Sequence, residues 1–324
     1  MEKKKNKSVL LVGPGKMGRE YAKILIDMKL PLEIVGIEDK SSIEFEKLTL
    51  LPVYKKGIDN WLAETEEYPQ FAIVSVINQD LGNVARSLIQ AGLKNILLEK
   101  PGGLDISDIG AVAKEAEKNK TNVFLGYNRR FYTSTLKAKQ IIKEDGGVKS
   151  FLFEFTEWSH VMETYPLIPE VKKNWLLHNS THVIDLAFYL GGKPKELYSL
   201  KTGTLSWHPI GSTFTGAGKT EGGALFSYHS NWDAPGRWAT EILTKKHRLI
   251  FKPLEKLKIQ KRASVKIEEV KLNDKLDIDF KPGLYRQVDA FLNNNWSEFK
   301  NIHQQLKDLE LYDTIRKGGV IKNQ

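Results

Sequence analysis

The residues best suited to move protons in this 324-residue chain are Lys100, His178 and His182. Lys100 stands in Leu97-Leu98-Glu99-Lys100-Pro101, an apolar run that ends in a charged pair and a proline. Proline holds the preceding residue extended and permits a cis bond, and either effect aims the ammonium in one direction. An ammonium that is buried or set beside positive charge loses basicity, and it can then hydrogen-bond or deprotonate a hydroxyl. His178 and His182 are four residues apart, with Asp185 three further on. A regular helix puts such residues on one face, where two imidazoles near neutrality can relay a proton. The same spacing suits zinc, but no glutamate follows the first histidine as in a metalloprotease, and no metal is expected.

A second chemistry belongs to Gly13-Pro14-Gly15-Lys16-Met17-Gly18, which follows the apolar run Ser8–Val12 and opens an amphipathic segment, Lys16–Met28. In that context G-x-G-x-x-G is a dinucleotide fingerprint. Gly13 permits the tight turn, Gly15 lets backbone approach a pyrophosphate, and Gly18 lets the helix pack on its strand. The free N–H groups at the start of the helix, from Lys16 and Met17 onward, favour phosphate. A carboxylate about 20 residues on is expected at the cofactor ribose. Asp39 fits that distance, with Glu38 as the alternative. A carboxylate there repels a 2′-phosphate, so NAD is slightly favoured over NADP, although Lys40 stands next to it.

These groups need elements to carry them. Apolar runs at Glu33–Ile37, Phe71–Ile77, Asn95–Leu98 and Asn122–Leu125 alternate with helical patterns at Leu81–Ala91 and Ile106–Lys118. Near-continuous apolar strands separated by helices predict a doubly wound parallel sheet. After Gly126 the rhythm changes. Helices are expected at Ser134–Lys143, Trp175–Leu190, Leu284–Asn294 and Ile302–Ile315. Strands are expected at Ser150–Phe155, Ala224–Tyr228, Thr240–Leu243, Arg248–Phe251 and Ser264–Glu268, close enough together for an antiparallel sheet. Trp158–Trp175 reads as a long loop of functional character. The expected fold class is α/β plus α+β: a doubly wound Rossmann domain over residues 1–126, then a domain with a large, mostly antiparallel open sheet over 127–324.

Together these motifs resemble the Gfo/Idh/MocA oxidoreductase family. The glycine motif, the acidic end of the second strand, Glu99-Lys100-Pro101, Gly126-Tyr127-Asn128-Arg129-Arg130-Phe131 and His182-Val183-Ile184-Asp185 carry the resemblance, in order, over nearly the whole chain. It implies NAD(P)-linked hydride transfer on a sugar, polyol or nucleotide sugar, and pairing through the exposed sheet face as a homodimer or homotetramer. It also implies that Lys100 polarises the substrate oxygen, that His182 exchanges its proton, and that His178 assists or binds substrate. Glu99 and Asn78 are then expected at the cofactor, with Arg129, Trp175 and Asp185 at the substrate. Two departures stand out. The family helix usually reads Asp-x-x-x-His-x-x-Asp, and here His178 fills the first aspartate position. The family's proline and histidine after the fourth strand are replaced by Ser75-Val76-Ile77-Asn78-Gln79-Asp80-Leu81.

Composition narrows the partners. With 41% hydrophobic and 27% charged residues the chain is globular, and no apolar run nears the roughly 20 residues of a membrane span. The net charge of +9 is spread along the chain with no nucleic-acid motif, so a small substrate is expected and nucleic acid is not. No cysteine is present, and the basic stretch Glu2–Lys7 reads as a frayed tail with no signal-peptide pattern behind it; a cytoplasmic protein is expected. The alternative from another class is a non-catalytic dinucleotide-binding regulator of the same fold, which loss of Lys100 or His182 would have favoured.

Overall fold

Near-continuous apolar tetrapeptides pair into a parallel sheet near the N-terminus because both of its faces are covered by helices. The computed structural model describes residues 7–322. Of the expected tail, only Lys7 lies within them, and its ammonium donates to Asn293 Oδ1 at 2.7 Å. The elements up to Leu125 are β1 (Val9–Val12), α1 (Lys16–Asp27), β2 (Leu32–Val35), α2 (Asp39–Thr49), α3 (Ile58–Glu64), β3 (Phe71–Val74), α4 (Leu81–Gln90), β4 (Asn95–Leu98), α5 (Ile106–Asn119) and β5 (Asn122–Leu125). The five strands are parallel in the order β2-β1-β3-β4-β5. The order reverses between β1 and β3, and such a switch point is where ligands bind at the C-terminal edge of an open sheet.

The chain then runs through α6 (Thr133–Glu144), β6 (Val148–Glu154), α7 (Ser159–Thr164), α8 (Pro169–Lys173) and α9 (Thr181–Gly191). Strands follow: β7 (Pro194–Thr202), β8 (Thr213–Thr220), β9 (Leu225–Asn231), β10 (Ala239–Thr244), β11 (His247–Phe251), β12 (Lys258–Lys261) and β13 (Ile267–Glu269). The chain closes with α10 (Lys275–Asp279), α11 (Leu284–Leu292), α12 (Ile302–Lys317) and β14 (Gly319–Lys322). The second sheet has nine strands in the order β13-β12-β11-β10-β6-β9-β8-β7-β14. Only the β6–β9 pair is parallel. The expected fold class is what forms.

Two compact units result. The first runs to Asn128 and takes in Leu276–Lys307; the second comprises Arg129–Lys275 and the residues from Asp308 on. The division expected at Gly126 therefore gains a discontinuous piece. The reason is aromatic packing within the first unit: Phe291 meets Phe71 at 5.3 Å, and Trp296 and Phe299 lie 5.0 and 5.4 Å from Phe124. In the second unit α9 packs on β6 and β10. Phe188 meets Phe151, Phe153 and Phe226 nearly edge-on at 5.0 to 5.7 Å, a favoured aromatic geometry.

Some expectations need correction. Trp158–Trp175 is not an open loop, because α7 and α8 lie within it. The expected regular helix Trp175–Leu190 is a π-helical turn over Leu176–Ser180 that leads directly into α9. The Thr181 N–H closes the turn on Leu176 O, five residues back. Among the described residues no helix is long and apolar enough to cross a membrane.

Candidate active site

In the first unit the glycine loop links β1 to α1. Gly13 has φ +96°, and a Cβ there would lie 2.8 Å from the backbone of Ser75 and Val76. The loop is also pinned from β3, since Ser75 Oγ donates to Gly13 O at 2.8 Å. A Cβ on Gly18 would come within 2.1 Å of Gly13 O, so α1 reaches its strand only through a glycine. Gly15 differs: its ordinary backbone (φ −73°) faces open space, with nothing within 4 Å of where a Cβ would lie. It begins α1 with no side-chain cap, and the first turn, with Lys16 exposed and Met17 half-buried, holds no acid. Uncapped amides at a positive helix end, with room above them, fit a pyrophosphate.

Glu38 and Asp39 are both exposed at the start of α2: Asp39 is its first helical residue and Glu38 precedes it, extended. Asn78 is half-buried in the turn before α4. Glu99 and Lys100 follow β4 at the same edge of the sheet. The fully buried Tyr21 of α1 donates to Glu99 Oε1 at 2.7 Å. Burial pushes the Glu99 carboxyl above its usual range, against the pull of the Tyr21 hydroxyl, Lys100 and Lys281. Gly126 makes room for this carboxylate, which a Cβ would approach to 3.2 Å. The Lys100–Pro101 bond is cis. Pro101 O accepts from Gln305 Nε2, whose Oε1 accepts from Tyr127, each at 3.1 Å.

In the second unit the histidines lie on either side of the junction between π turn and α9, both buried. His182 lies against Trp238, ring centroids 6.0 Å apart. The Arg129 guanidinium lies 4.8 Å from the same indole, and that of Arg237 4.5 Å from it. Trp238 thus gathers His182 and Arg129, two of the expected residues. Trp175 precedes the turn, and its indole N–H is buried without an acceptor among the described residues. Asp185 is not offered to substrate: it is 3% exposed, and both its oxygens accept from Arg130, at 2.7 and 2.8 Å. That bidentate pair holds the Arg130 guanidinium charged despite its burial. It also removes the carboxylate a zinc site needed, and among the described residues no three His, Cys, Asp or Glu side chains group as metal ligands.

Several residues here were missed in the sequence. Glu157 is buried beneath the π turn, with Ser180 Oγ and Asn179 Nδ2 donating to it at 2.8 and 2.9 Å and the Arg237 guanidinium forming an ion pair with it at 3.6 Å. Burial pushes its carboxyl up to about 7, with Ser180, Arg237, Asn179 and Trp238 pulling the other way. A signal was present. Phe151, Phe153 and Phe155 face inward, and an acid at the same parity two residues on is an acid aimed at the core.

Known proteins share this fold. Residues 7–127 match the model of the Gfo/Idh/MocA family, described as oxidoreductase family, NAD-binding Rossmann fold. No curated protein matches the chain in sequence. Among solved structures, an oxidoreductase from Agrobacterium radiobacter in complex with NAD+, L-tartaric acid and magnesium superposes with TM-score 0.80, at 13% identity over 98% of each chain. A levoglucosan dehydrogenase bound to NADH and levoglucosan gives 0.78, at 16% identity over 99% of this chain and 100% of that one. The WlbA dehydrogenase from Chromobacterium violaceum, with NADH and UDP-GlcNAcA, gives 0.74, at 17% identity over 98% and 96%. At such identities the likeness is one of fold.

Proposed function

We propose that this chain, a member of the Gfo/Idh/MocA oxidoreductase family through residues 7–127, is an NAD(P)-dependent oxidoreductase acting on a hydroxyl or carbonyl carbon of a sugar, polyol or nucleotide sugar. The observation that carries the reading is the loop at the switch point: open space where a Gly15 side chain would lie, Gly13 and Gly18 sterically required, and the α1 amides uncapped. Gly13, Gly15, Lys16, Met17 and Gly18 are the residues that would hold the pyrophosphate. A carboxylate at the start of α2, Asp39 or Glu38, would take the ribose hydroxyls and favour NAD over NADP. When bound, the nicotinamide supplies a carbon that accepts or gives a hydride. Asn78 and Glu99 are assigned to the cofactor side.

The protein's own part is proton handling and orientation. Lys100 is assigned to polarise the substrate oxygen. His182 is assigned the proton exchange, with His178 assisting. Arg129 and the buried Trp175 N–H are donors suited to hydroxyl or carboxylate groups of the substrate. The fold-mates that hold levoglucosan or UDP-GlcNAcA support a sugar-like substrate for this chain. A second copy is the expected partner. Leu200, Val320 and Leu225 stand 71%, 57% and 61% exposed on the second sheet while Ser199, Ile321 and Phe226 beside them are buried, and such an apolar face favours association.

Titration calorimetry with NAD+ and NADP+, followed by nicotinamide absorbance with a panel of polyols, sugars and nucleotide sugars, tests the proposal. Binding of one dinucleotide and turnover of one panel member are expected. A protein that ignores both dinucleotides is not this enzyme; one that binds and never turns over is the regulator of the same fold. Light scattering should report a dimer or tetramer, and a monomer would remove the sheet face from that role.

A further inference from the structure

The mechanism above leaves the Glu157 carboxylate unused. A buried carboxylate persists only where donors meet it. Here two of the donors, Asn179 and Ser180, are consecutive residues of the π turn. His178 immediately precedes that pair, and His182 follows it by two residues. A group that grips residues 179 and 180 therefore sets the backbone path that carries both imidazoles. Glu157 reaches His182 by a second route as well. Its remaining partners, Arg237 and Trp238, are adjacent, and Trp238 is the ring against which His182 rests. Arg237 in turn lies over both Trp158 and Trp238, so one guanidinium clamps the residue after Glu157 to the indole beside His182. π turns are rare and often mark functional positions, and this one is tied down from outside its own helix.

We infer that Glu157 is a positioning residue: by holding Asn179, Ser180 and the Arg237–Trp238 pair, its carboxylate fixes the π turn and with it the directions in which His178 and His182 present their ring nitrogens. The catalytic half of this inference rests on the role proposed for His182; the structural half does not. The charged group facing Glu157 is Arg237, while Asn179 and Ser180 from the turn and Trp238 beside Arg237 are neutral. Ionised, the carboxylate accepts from the turn and pairs with Arg237. Protonated, it loses the pairing and one acceptor position, so the grip loosens as the pH falls through about 7.

The test uses the full chain labelled with nitrogen-15, following the ring nitrogens of His178 and His182 through a pH titration in wild type, Glu157→Gln, Glu157→Asp and Ser180→Ala. Glu157→Gln should shift the His182 ring titration and tautomer balance. Ser180→Ala should shift them less in the same sense, and Glu157→Asp should return them partway. Under turnover, Glu157→Gln should lower kcat about tenfold above neutrality, the scale of groups that orient a functional ligand. It should leave the KM for dinucleotide unchanged and abolish the fall in kcat below pH about 7. Ring signals in folded Glu157→Gln that superpose on wild type overturn the inference. If that variant does not fold, Ser180→Ala decides by the same criterion. A wild type with no turnover on any panel member removes the oxidoreductase reading and leaves the ring titrations to judge Glu157.

Discussion

The glycine loop and the histidine turn solve different problems with different materials. In the loop the proposed working groups are backbone amides, and what shapes them is the absence of side chains at Gly13, Gly15 and Gly18, with Ser75 as the outside restraint. In the turn the proposed working groups are side chains. Their supports come from well-separated stretches: Glu157 after β6, Arg237 and Trp238 before β10, and Arg130, whose grip on Asp185 anchors α9. A site made of amides is specified by which residues are small. A site made of imidazoles is specified by what surrounds them, because ring direction and protonation follow from neighbours.

The largest effect that would sharpen this contrast is expected from His182→Ala. If proton exchange resides in the turn, kcat should fall by about 10²–10⁴, the usual contribution of general acid–base catalysis. Dinucleotide affinity, which the proposed function assigns to the first unit, should stay where it is. Steady-state rates and calorimetry on the same preparation check both. Near-normal turnover would take His182 out of the reaction and leave the turn a structural feature.

The same contrast explains what was legible beforehand. The parallel sheet could be read because each of its strands is an apolar run and each motif is local; β4 and β5 were located to the residue. β8 could not be read, since Thr-Phe-Thr-Gly-Ala-Gly-Lys-Thr has neither a run nor a clean alternation. Its glycines serve close approach: a Cβ on Gly216 or Gly218 would lie 2.6 Å from the rings of Tyr228 or Phe226 on β9. α2 was hidden because only Ser42 and Phe45 of its eleven residues are buried, leaving almost no periodic signal. At the site, the histidines were visible by type and spacing. Their surroundings were not. Nothing local announces that Asp185 is spent on Arg130, or that residues 176–180 take a π turn. Both follow from contacts with segments far along the chain.

A smaller effect separates the two duties of the glycine loop. Gly15→Ala adds a methyl group where no atom lies within 4 Å, on a backbone any residue can adopt, so its melting temperature should match wild type. The same methyl occupies the space above the α1 amides, and dinucleotide binding should weaken tenfold to a hundredfold, about 1.4–2.8 kcal/mol. Gly18→Ala drives its Cβ to within 2.1 Å of Gly13 O, and about 1–3 kcal/mol of stability should be lost to overpacking. Calorimetry and thermal melts on the pair read the two effects apart. Full affinity in Gly15→Ala would mean that the loop does not hold the pyrophosphate, and the contrast between backbone site and side-chain site would collapse.

The smallest effect is a slope, and it tests whether the second region is the titratable one. Glu157 has an ordinary carboxyl pKa of 4.5 when unfolded and about 7 in the fold. Between those values the folded chain holds a proton that the unfolded chain has released. Stability from this group is therefore fully present below about 4.5 and drains away as the pH rises to about 7, at roughly 1.4 kcal/mol per pH unit. Above that window the contribution is flat. Urea unfolding at stepped pH, followed by tryptophan fluorescence, should show this decline in wild type. Glu157→Gln should lack most of it and gain relative stability as the pH rises. Glu99 is also raised by burial, so a residual slope of the same sign is expected to persist in the variant and to belong to the first unit. Equal slopes in wild type and Glu157→Gln would mean that Glu157 stays ionised through the window. The carboxylate beneath the turn would then be a permanent ion pair with Arg237, and any fall in kcat below neutrality would have to be assigned to the histidines themselves.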